Sequence, residues 1–236
     1  MVTRRARRIL RTRAGRIAAG VLGAVSGVHL AAQLASATTV AEASQWLLMP
    51  ALAAMVAAET GGRTRLVRWM LAGLALSWLG DVAPDFASGD TAFLTMIGFF
   101  LLAQLAYIAG FTPYRHESVL RRAPGVVAGY GAAVVALVAG CAAGAGSLLV
   151  PALVYGVVLA TMAVLATGLG RAGAVGGALF FVSDAMIALD AFAVWFTPPA
   201  TGLWIMATYI GAQTLLSVAV IEHSRRSAAP SSVAQR

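Results

Sequence analysis

Two aspartates, Asp81 and Asp184, lie within apolar stretches of this 236-residue sequence, at 66–83 and 173–195. A carboxyl group buried in apolar surroundings favours its protonated form and can act as a general acid, whereas a better-hydrated carboxylate can act as a base. The pair therefore predicts acid–base chemistry, provided that the fold brings the two side chains together. Each residue also has a purely structural interpretation: Asp184 as a protonated carboxyl bonded to a neighbouring helix, and Asp81 as a residue at a membrane surface.

Further polar side chains in the apolar stretches could complete a site or simply pack the helices: His29, Gln104, Tyr107, Tyr155, Tyr209 and Gln213. Tyrosine in such stretches commonly anchors or packs a helix, and glutamine commonly forms hydrogen bonds between helices. Gln213 follows Tyr209 by four residues, which places both side chains on one helix face. Asp85 follows Asp81 at the same spacing, but Pro84 between them argues against a continuous helix there.

The histidines and the cysteine do not form a metal-binding pattern. His116 and His223 fall outside the apolar stretches, His29 stands alone in the first stretch, and the sequence contains no HxxxH or HExxH motif. Cys141 is the single cysteine, which excludes an intramolecular disulfide and a CxxC metal site. We therefore expect a site that uses no metal ion and no other cofactor.

The composition predicts that these residues are carried by helices in a lipid bilayer. Hydrophobic residues make up 60% of the chain and charged residues 11%, and the mean hydropathy is +0.83. A transmembrane helix needs roughly 20 residues, so the chain has room for about eight helices and for no sizeable soluble domain. Eight apolar stretches predict an all-α, polytopic membrane helix bundle, with helices near 16–37, 44–58, 66–83, 91–112, 124–142, 147–168, 173–195 and 201–222.

The arginines predict how this bundle lies in the membrane. All 17 basic residues are arginine, against 9 acidic residues, and they occur only at the N-terminus, in alternate loops and in the C-terminal tail. Because cytoplasmic segments carry the excess of arginine and lysine, both termini are predicted to be cytoplasmic. The basic excess therefore indicates orientation in the cell membrane, and we expect no nucleic-acid partner.

The predicted domain organisation is one transmembrane domain between two cytoplasmic segments. Residues 1–15 form a basic segment, residues 16–222 form the eight-helix domain, and residues 223–236 form a tail that we expect to be disordered. The arginine-rich start, followed by an apolar stretch, is also similar to a signal peptide. We expect a retained first helix, because its apolar length exceeds the roughly 7–15 residues of a signal-peptide core.

Two segments of the sequence are alike: ALSWLGD, which ends at Asp81, and ALFFVSD, which ends at Asp184. Each is followed by an apolar stretch that contains an Ala-Gln pair, at Gln104 and Gln213. The pattern suggests a parallel repeat of four plus four helices, an arrangement found in transporters. A proton-coupled transporter, in which buried carboxyls bind and release protons, is therefore one functional hypothesis. A lipid-binding membrane protein without catalytic activity is another.

Five motifs resemble, in order and spacing, those of the YhhN-like integral membrane proteins: LSWLGD at 76–81, GFFLLAQLAYI at 98–108, VPALVYGVVLATM at 150–162, GGALFFVSDAMIA at 176–188 and ATYIGAQTLL at 207–216. The resemblance covers most of 45–220. It implies an eight-helix bundle in which Asp81 and Asp184 form a catalytic carboxylate pair. It also implies substrate-binding positions at Tyr155, Tyr209, Gln213 and Gln104. The family often has lysine where this chain has Met49, and histidine where it has Gln104.

The characterised relatives in that family are lysoplasmalogenases, so the resemblance implies an intramembrane hydrolase of vinyl-ether lysolipids. A proton delivered to the alkene carbon gives an oxocarbenium ion that water captures, and the products are a fatty aldehyde and a glycerophospho-alcohol. Asp184 fits the acid and Asp81, nearer the water, fits the base, with the reverse assignment also open. The expected partners are a lysophospholipid substrate and the surrounding membrane lipids.

Overall fold

The computed structural model describes residues 10–228, and within this range the regular structure is entirely helical. Eight long helices follow one another along the chain: α1 Arg13–Leu34, α2 Thr38–Thr60, α3 Arg65–Val82, α4 Gly89–Phe111, α5 Pro124–Ala145, α6 Leu149–Ala166, α7 Arg171–Phe192 and α8 Thr201–Ala228. Shorter helical segments lie between them, at Ala83–Phe86, Thr112–Tyr114, Val119–Arg122, Gly146–Leu148 and Thr167–Leu169. The predicted all-α bundle is confirmed.

The number of membrane-crossing helices depends on one long stretch. Within the described residues, 7 helical stretches are long and apolar enough to cross a membrane, and one of them, Pro124–Leu169, has 46 residues. A straight helix of that length would measure about 69 Å, more than twice a hydrocarbon layer of about 30 Å. The chain instead breaks at Gly146, whose φ of 49° lies in the left-handed region that favours glycine. The stretch therefore contains two helices, α5 and α6, in agreement with the predicted eight.

Two helix boundaries lie furthest from those predicted from the sequence. Helix α2 begins at Thr38 and not near residue 44, because polar residues can form the first turns of a helix at a membrane surface. Helix α8 continues to Ala228, although the sequence predicts a disordered tail from residue 223. Its last turn carries Arg225 and Arg226, and cations stabilise the C-terminal end of a helix. Residues 229–236 of that tail, and residues 1–9, lie outside the described part of the chain.

Helix α8 lies at the centre of the bundle, where it packs against α1, α2, α3 and α7. Small residues permit the close contacts. A Cβ added at Gly176 of α7 would lie 3.0 Å from Leu216 of α8. Helices α3 and α4 meet at Gly73, where an added Cβ would come within 2.1 Å of the Tyr107 ring. Because α8 contacts both α3 and α7, it holds together the two helices that carry the aspartates.

The carboxylate of Glu59, near the end of α2, joins the ends of three helices. Its side chain is fully buried, and it accepts hydrogen bonds from the backbone N–H of Arg11 (3.0 Å) and from the backbone N–H and hydroxyl of Thr12 (3.0 and 2.9 Å). Arg225 of α8 forms an ion pair with it. Thr12 in turn caps α1 by accepting a hydrogen bond from the N–H of Gly15 (2.8 Å). Glu59 therefore ties α1, α2 and α8 together at one end of the bundle.

We expect the Glu59→Gln substitution to lower the free energy of unfolding by about 3 kcal/mol, because it removes the buried anion that Arg225 contacts. The thermal midpoint of the purified protein, measured in one detergent, would show the loss. The control is Glu222→Gln, which breaks a more exposed ion pair with Arg226 (3.7 Å) and should cost about 0–1 kcal/mol. Equal shifts for the two variants would contradict a special role for Glu59.

The distribution of arginine also predicts the side of the membrane on which each loop lies. Ser88 and Glu117 are both exposed, and they lie in successive loops, before α4 and after it. A cysteine at Ser88 should react with a membrane-impermeant maleimide from outside the cell, and a cysteine at Glu117 only after the membrane is opened. The unsubstituted chain is the control, because its single Cys141 is buried. The opposite labelling pattern would overturn the assignment.

Candidate active site

Asp81 and Asp184 line one cavity of about 320 Å³. Asp81 lies in the last turn of α3 and Asp184 in the second half of α7, and both are buried, with 8% and 7% of their surface exposed. The cavity opens at the end of the bundle where α1 ends and where α2 and α8 begin, since Gln33, Gln45 and Gly202 also line it. The fold therefore brings together two carboxyls that are far apart in the sequence.

A chain of buried hydrogen bonds holds Asp81 in place. The hydroxyl of Tyr209 donates to the Asp81 carboxylate (3.0 Å). The Gln213 Nε2 group donates to the hydroxyls of Tyr209 (3.5 Å) and Ser77 (3.0 Å), and its Oε1 accepts from the hydroxyl of Tyr107 (2.8 Å). Because the Tyr209 oxygen accepts from Gln213, its proton is directed to Asp81, which acts as the acceptor. Side chains from α3, α4 and α8 thus fix the orientation of this carboxylate.

Asp184 has less polar surroundings than Asp81. The hydroxyl of Tyr155, on α6, donates to its carboxylate. The hydroxyl of the neighbouring Ser183 donates instead to the backbone oxygen of Ile205 (3.0 Å). On its other side Asp184 borders a second, narrow cavity, whose lining from α4, α5, α6 and α7 is almost entirely apolar. The two carboxyls therefore share one cavity but differ in environment, which is the condition for a division into acid and base.

The four predicted substrate-binding residues fall into two groups. Tyr209 lines the first cavity and Tyr155 lines the second. Gln104 and Gln213 are fully buried and belong to the lining of neither cavity. Gln213 orients Tyr209, whereas the amide of Gln104 lies near the Tyr155 hydroxyl without a hydrogen bond of ordinary geometry within the described residues. Contact of Gln104 or Gln213 with substrate stays a prediction, and the geometry of Gln213 is that of a positioning residue.

Four polar residues of the cavity lining are absent from the site that the sequence predicts: Gln33, Gln45, Asp85 and Ser183. Asp85 reaches the cavity because the short helical turn Ala83–Phe86 continues the path of α3. The indole N–H of Trp46 donates to its carboxylate (2.9 Å). Gln33 and Gln45 lie near the ends of apolar stretches, where polar residues are common. Their position at the same end of the bundle as Asp81 is the signal that could have identified them.

The charged residues that line the first cavity are all acidic: Asp81, Asp85 and Asp184. Within residues 10–228, no group of three or more His, Cys, Asp and Glu side chains is placed to hold a metal ion. The ionisable groups that this cavity offers for chemistry are therefore carboxyls, assisted by the hydroxyl groups of Tyr155 and Tyr209.

Comparison with known proteins shows which sequences this chain resembles. A sequence model of the YhhN family matches residues 40–220. Two proteins named lysoplasmalogenase, from Mycobacterium bovis (strain ATCC BAA-935 / AF2122/97) and Mycobacterium tuberculosis (strain CDC 1551 / Oshkosh), are each 33% identical to this chain over 181 residues. The match covers 70% of this chain and 64% of the length of each relative. No solved structure matches significantly.

Proposed function

Because this chain belongs to the YhhN family, we propose that it is an intramembrane hydrolase that cleaves the vinyl-ether bond of lysoplasmalogen-type lysophospholipids. The names of the two mycobacterial relatives support this reaction and substrate class. The observation that carries the proposal is the presence of two buried carboxyls, from α3 and α7, in one cavity. We assign the enzyme to the cell membrane, with the cavity on the side opposite the arginine-rich loops.

The proposed reaction begins with transfer of a proton from Asp184 to the alkene carbon of the vinyl ether, which leaves an oxocarbenium ion. Water adds to this cation while Asp81 takes a proton from the water, giving a hemiacetal. The hemiacetal then splits into the fatty aldehyde and the glycerophospho-alcohol, with its hydroxyl proton passing to the departing alcohol oxygen. Return of the proton from Asp81 to Asp184 through the cavity restores the starting state. One water molecule is consumed and one ether bond is broken.

The two environments support this division of roles. Each aspartate accepts a hydrogen bond from a tyrosine hydroxyl, so these hydrogen bonds alone do not show which aspartate is the acid. Asp184 borders the apolar second cavity, and low polarity favours the protonated form of a carboxyl. Asp81 lies beside the amide of Gln45 in the first cavity, which is the wider of the two and which water can enter. A hydrated carboxylate in that position can stabilise the developing cation and activate water.

Detergent-purified protein should release a fatty aldehyde from a lysoplasmalogen in the absence of any ion gradient. The control substrate is the matching lysolipid with a saturated ether, which has no alkene carbon to accept the proton and should yield no aldehyde. Hydrolysis of the vinyl ether alone would support the proposal.

Failure to release aldehyde, together with substrate-dependent proton movement across sealed vesicles, would instead favour a proton-coupled transporter. The proton measurement needs a closed membrane and the aldehyde assay does not. The two assays therefore report on the two functions independently.

A further inference from the structure

The second cavity is a narrow cleft between α4, α5, α6 and α7. Apart from Asp184, Tyr155 and Cys141, the residues that line it are apolar. The thiol of Cys141 donates to the backbone oxygen of Ala188 (3.5 Å), so this group is already engaged within the wall. The side chains of Phe93 and Phe192 meet edge to face, with ring centroids 5.2 Å apart, at the ends of α4 and α7.

This cleft adjoins the first cavity, which contains Asp81, Asp85 and Asp184. Asp184 lines both spaces, and so do Met96, Phe100 and Ile187. A molecule that occupied both spaces would therefore lie beside the Asp184 carboxyl. The first cavity and the apolar cleft thus form two compartments with different linings, and Asp184 lies at the boundary between them.

The cleft is small, with an open volume of about 50 Å³. A water molecule needs roughly 10–15 Å³ of such volume, and a methylene group is similar in size, so there is room for about three to five groups. This is too little for a whole fatty chain or for a phospholipid head group. It matches the first few carbons of a chain that enters from the boundary.

We propose that this cleft binds the hydrocarbon chain of a lysolipid over the carbons next to its ether oxygen, and so sets the scissile bond beside Asp184. The inference rests on the proposed function, because the vinyl ether must span the boundary between the two compartments. The alkene carbon that accepts the proton belongs to the chain, on the apolar side. The oxocarbenium carbon is bonded to the ether oxygen, on the side of the wider cavity where water has access.

The apolar lining of the cleft favours this orientation because it disfavours the polar part of the lysolipid. A hydrocarbon chain leaves one apolar environment, the bilayer, for another, so its transfer into the cleft is nearly neutral. A phosphate or glycerol hydroxyl in the cleft would lose its hydrogen bonds to water and find few replacements in an apolar lining. The glycerol portion therefore lies in the first cavity near Gln33 and Gln45, with the phosphate toward the open end of that cavity.

Photo-crosslinking tests the placement without requiring turnover. The probe is a saturated 1-O-alkyl lysophospholipid with a diazirine on the chain a few carbons from the ether oxygen, which the proposed chemistry cannot cleave. After irradiation, mass spectrometry should locate the label on cleft residues within 93–100, 137–141 or 152–159. Labelling confined to exposed residues outside these ranges, such as Val135 and Val175, would overturn the proposal.

Two variants sharpen the test. Ala188 and Ala152 both line the cleft, so Ala188→Leu and Ala152→Leu each fill it and should reduce specific labelling by about tenfold. The matched control is Ala139→Leu on α5, an exposed position outside the cleft, which should leave labelling as in the wild type. Undiminished labelling of the cleft in both filled variants would also contradict the assignment.

The crosslinking result is separable from the proposed reaction. A protein that labels in the cleft but releases no aldehyde from a lysoplasmalogen binds lysolipid as inferred and lacks the hydrolase activity. A protein that releases aldehyde but labels elsewhere is a hydrolase with a different chain site. The first outcome supports the cleft and refutes the proposed function, and the second does the reverse.

Discussion

Asp184→Asn is expected to reduce kcat for aldehyde release by a factor of about 10²–10⁴, the range typical for loss of a general acid or base. The amide preserves the shape of the side chain and can still accept the hydrogen bond from Tyr155. It cannot deliver a proton to the alkene carbon. Because no packing volume is removed, the variant should fold and insert as the wild type does, with a similar thermal midpoint in detergent.

Asp190→Asn is the matched control for this variant. Asp190 lies on the same helix, is exposed and lines neither cavity, so its replacement should change aldehyde release by less than about twofold. Wild-type turnover in a folded Asp184→Asn protein would rule out Asp184 as the proton donor.

Asp81→Asn is expected to lower kcat over the same range of about 10²–10⁴, for a different reason. The amide can neither take a proton from the attacking water nor stabilise the oxocarbenium ion by its charge. The hydroxyl of Tyr209 keeps an acceptor in the amide oxygen, so the supporting hydrogen bonds with Gln213 and Ser77 should persist. Initial rates at saturating substrate would measure the effect.

Chemical rescue distinguishes loss of the base from a general disturbance of the site. Asp81→Ala enlarges a cavity that is already about 320 Å³, which leaves room for a small carboxylate. Added formate should therefore restore part of the activity of Asp81→Ala and none of the activity of Asp81→Asn, whose amide still fills the position. Rescue of both variants, or of neither, would contradict the role assigned to Asp81.

Much of the membrane architecture could be predicted because it follows from hydropathy. The apolar stretches located the eight helices, and a break in Pro124–Leu169 was predicted even though its two helices are separated only by a short turn at Gly146. The start of α2 at Thr38 could not be located in this way, because its first turns are polar. Hydropathy identifies the part of a helix that lies in lipid, and not the turns beyond it.

The candidate site was predictable only in part, for a related reason. Asp81 and Asp184 could be recognised because carboxyls are costly in apolar stretches. The hydrogen bond from Tyr107 to Gln213 joins helices α4 and α8, and nothing in the spacing of either helix indicates the other. The apolar cleft is equally hidden in the sequence, since its lining residues have the same types as those that face lipid.

The rate of aldehyde release by the double variant Asp81→Asn/Asp184→Asn, measured beside both single variants, tests the carboxylate pair most directly. Groups that act as one catalytic unit are strongly non-additive. We therefore expect the double variant to be about as slow as the slower single variant, because either loss alone already disables the proton transfers. Aldehyde release at the wild-type rate by the folded double variant would contradict the account.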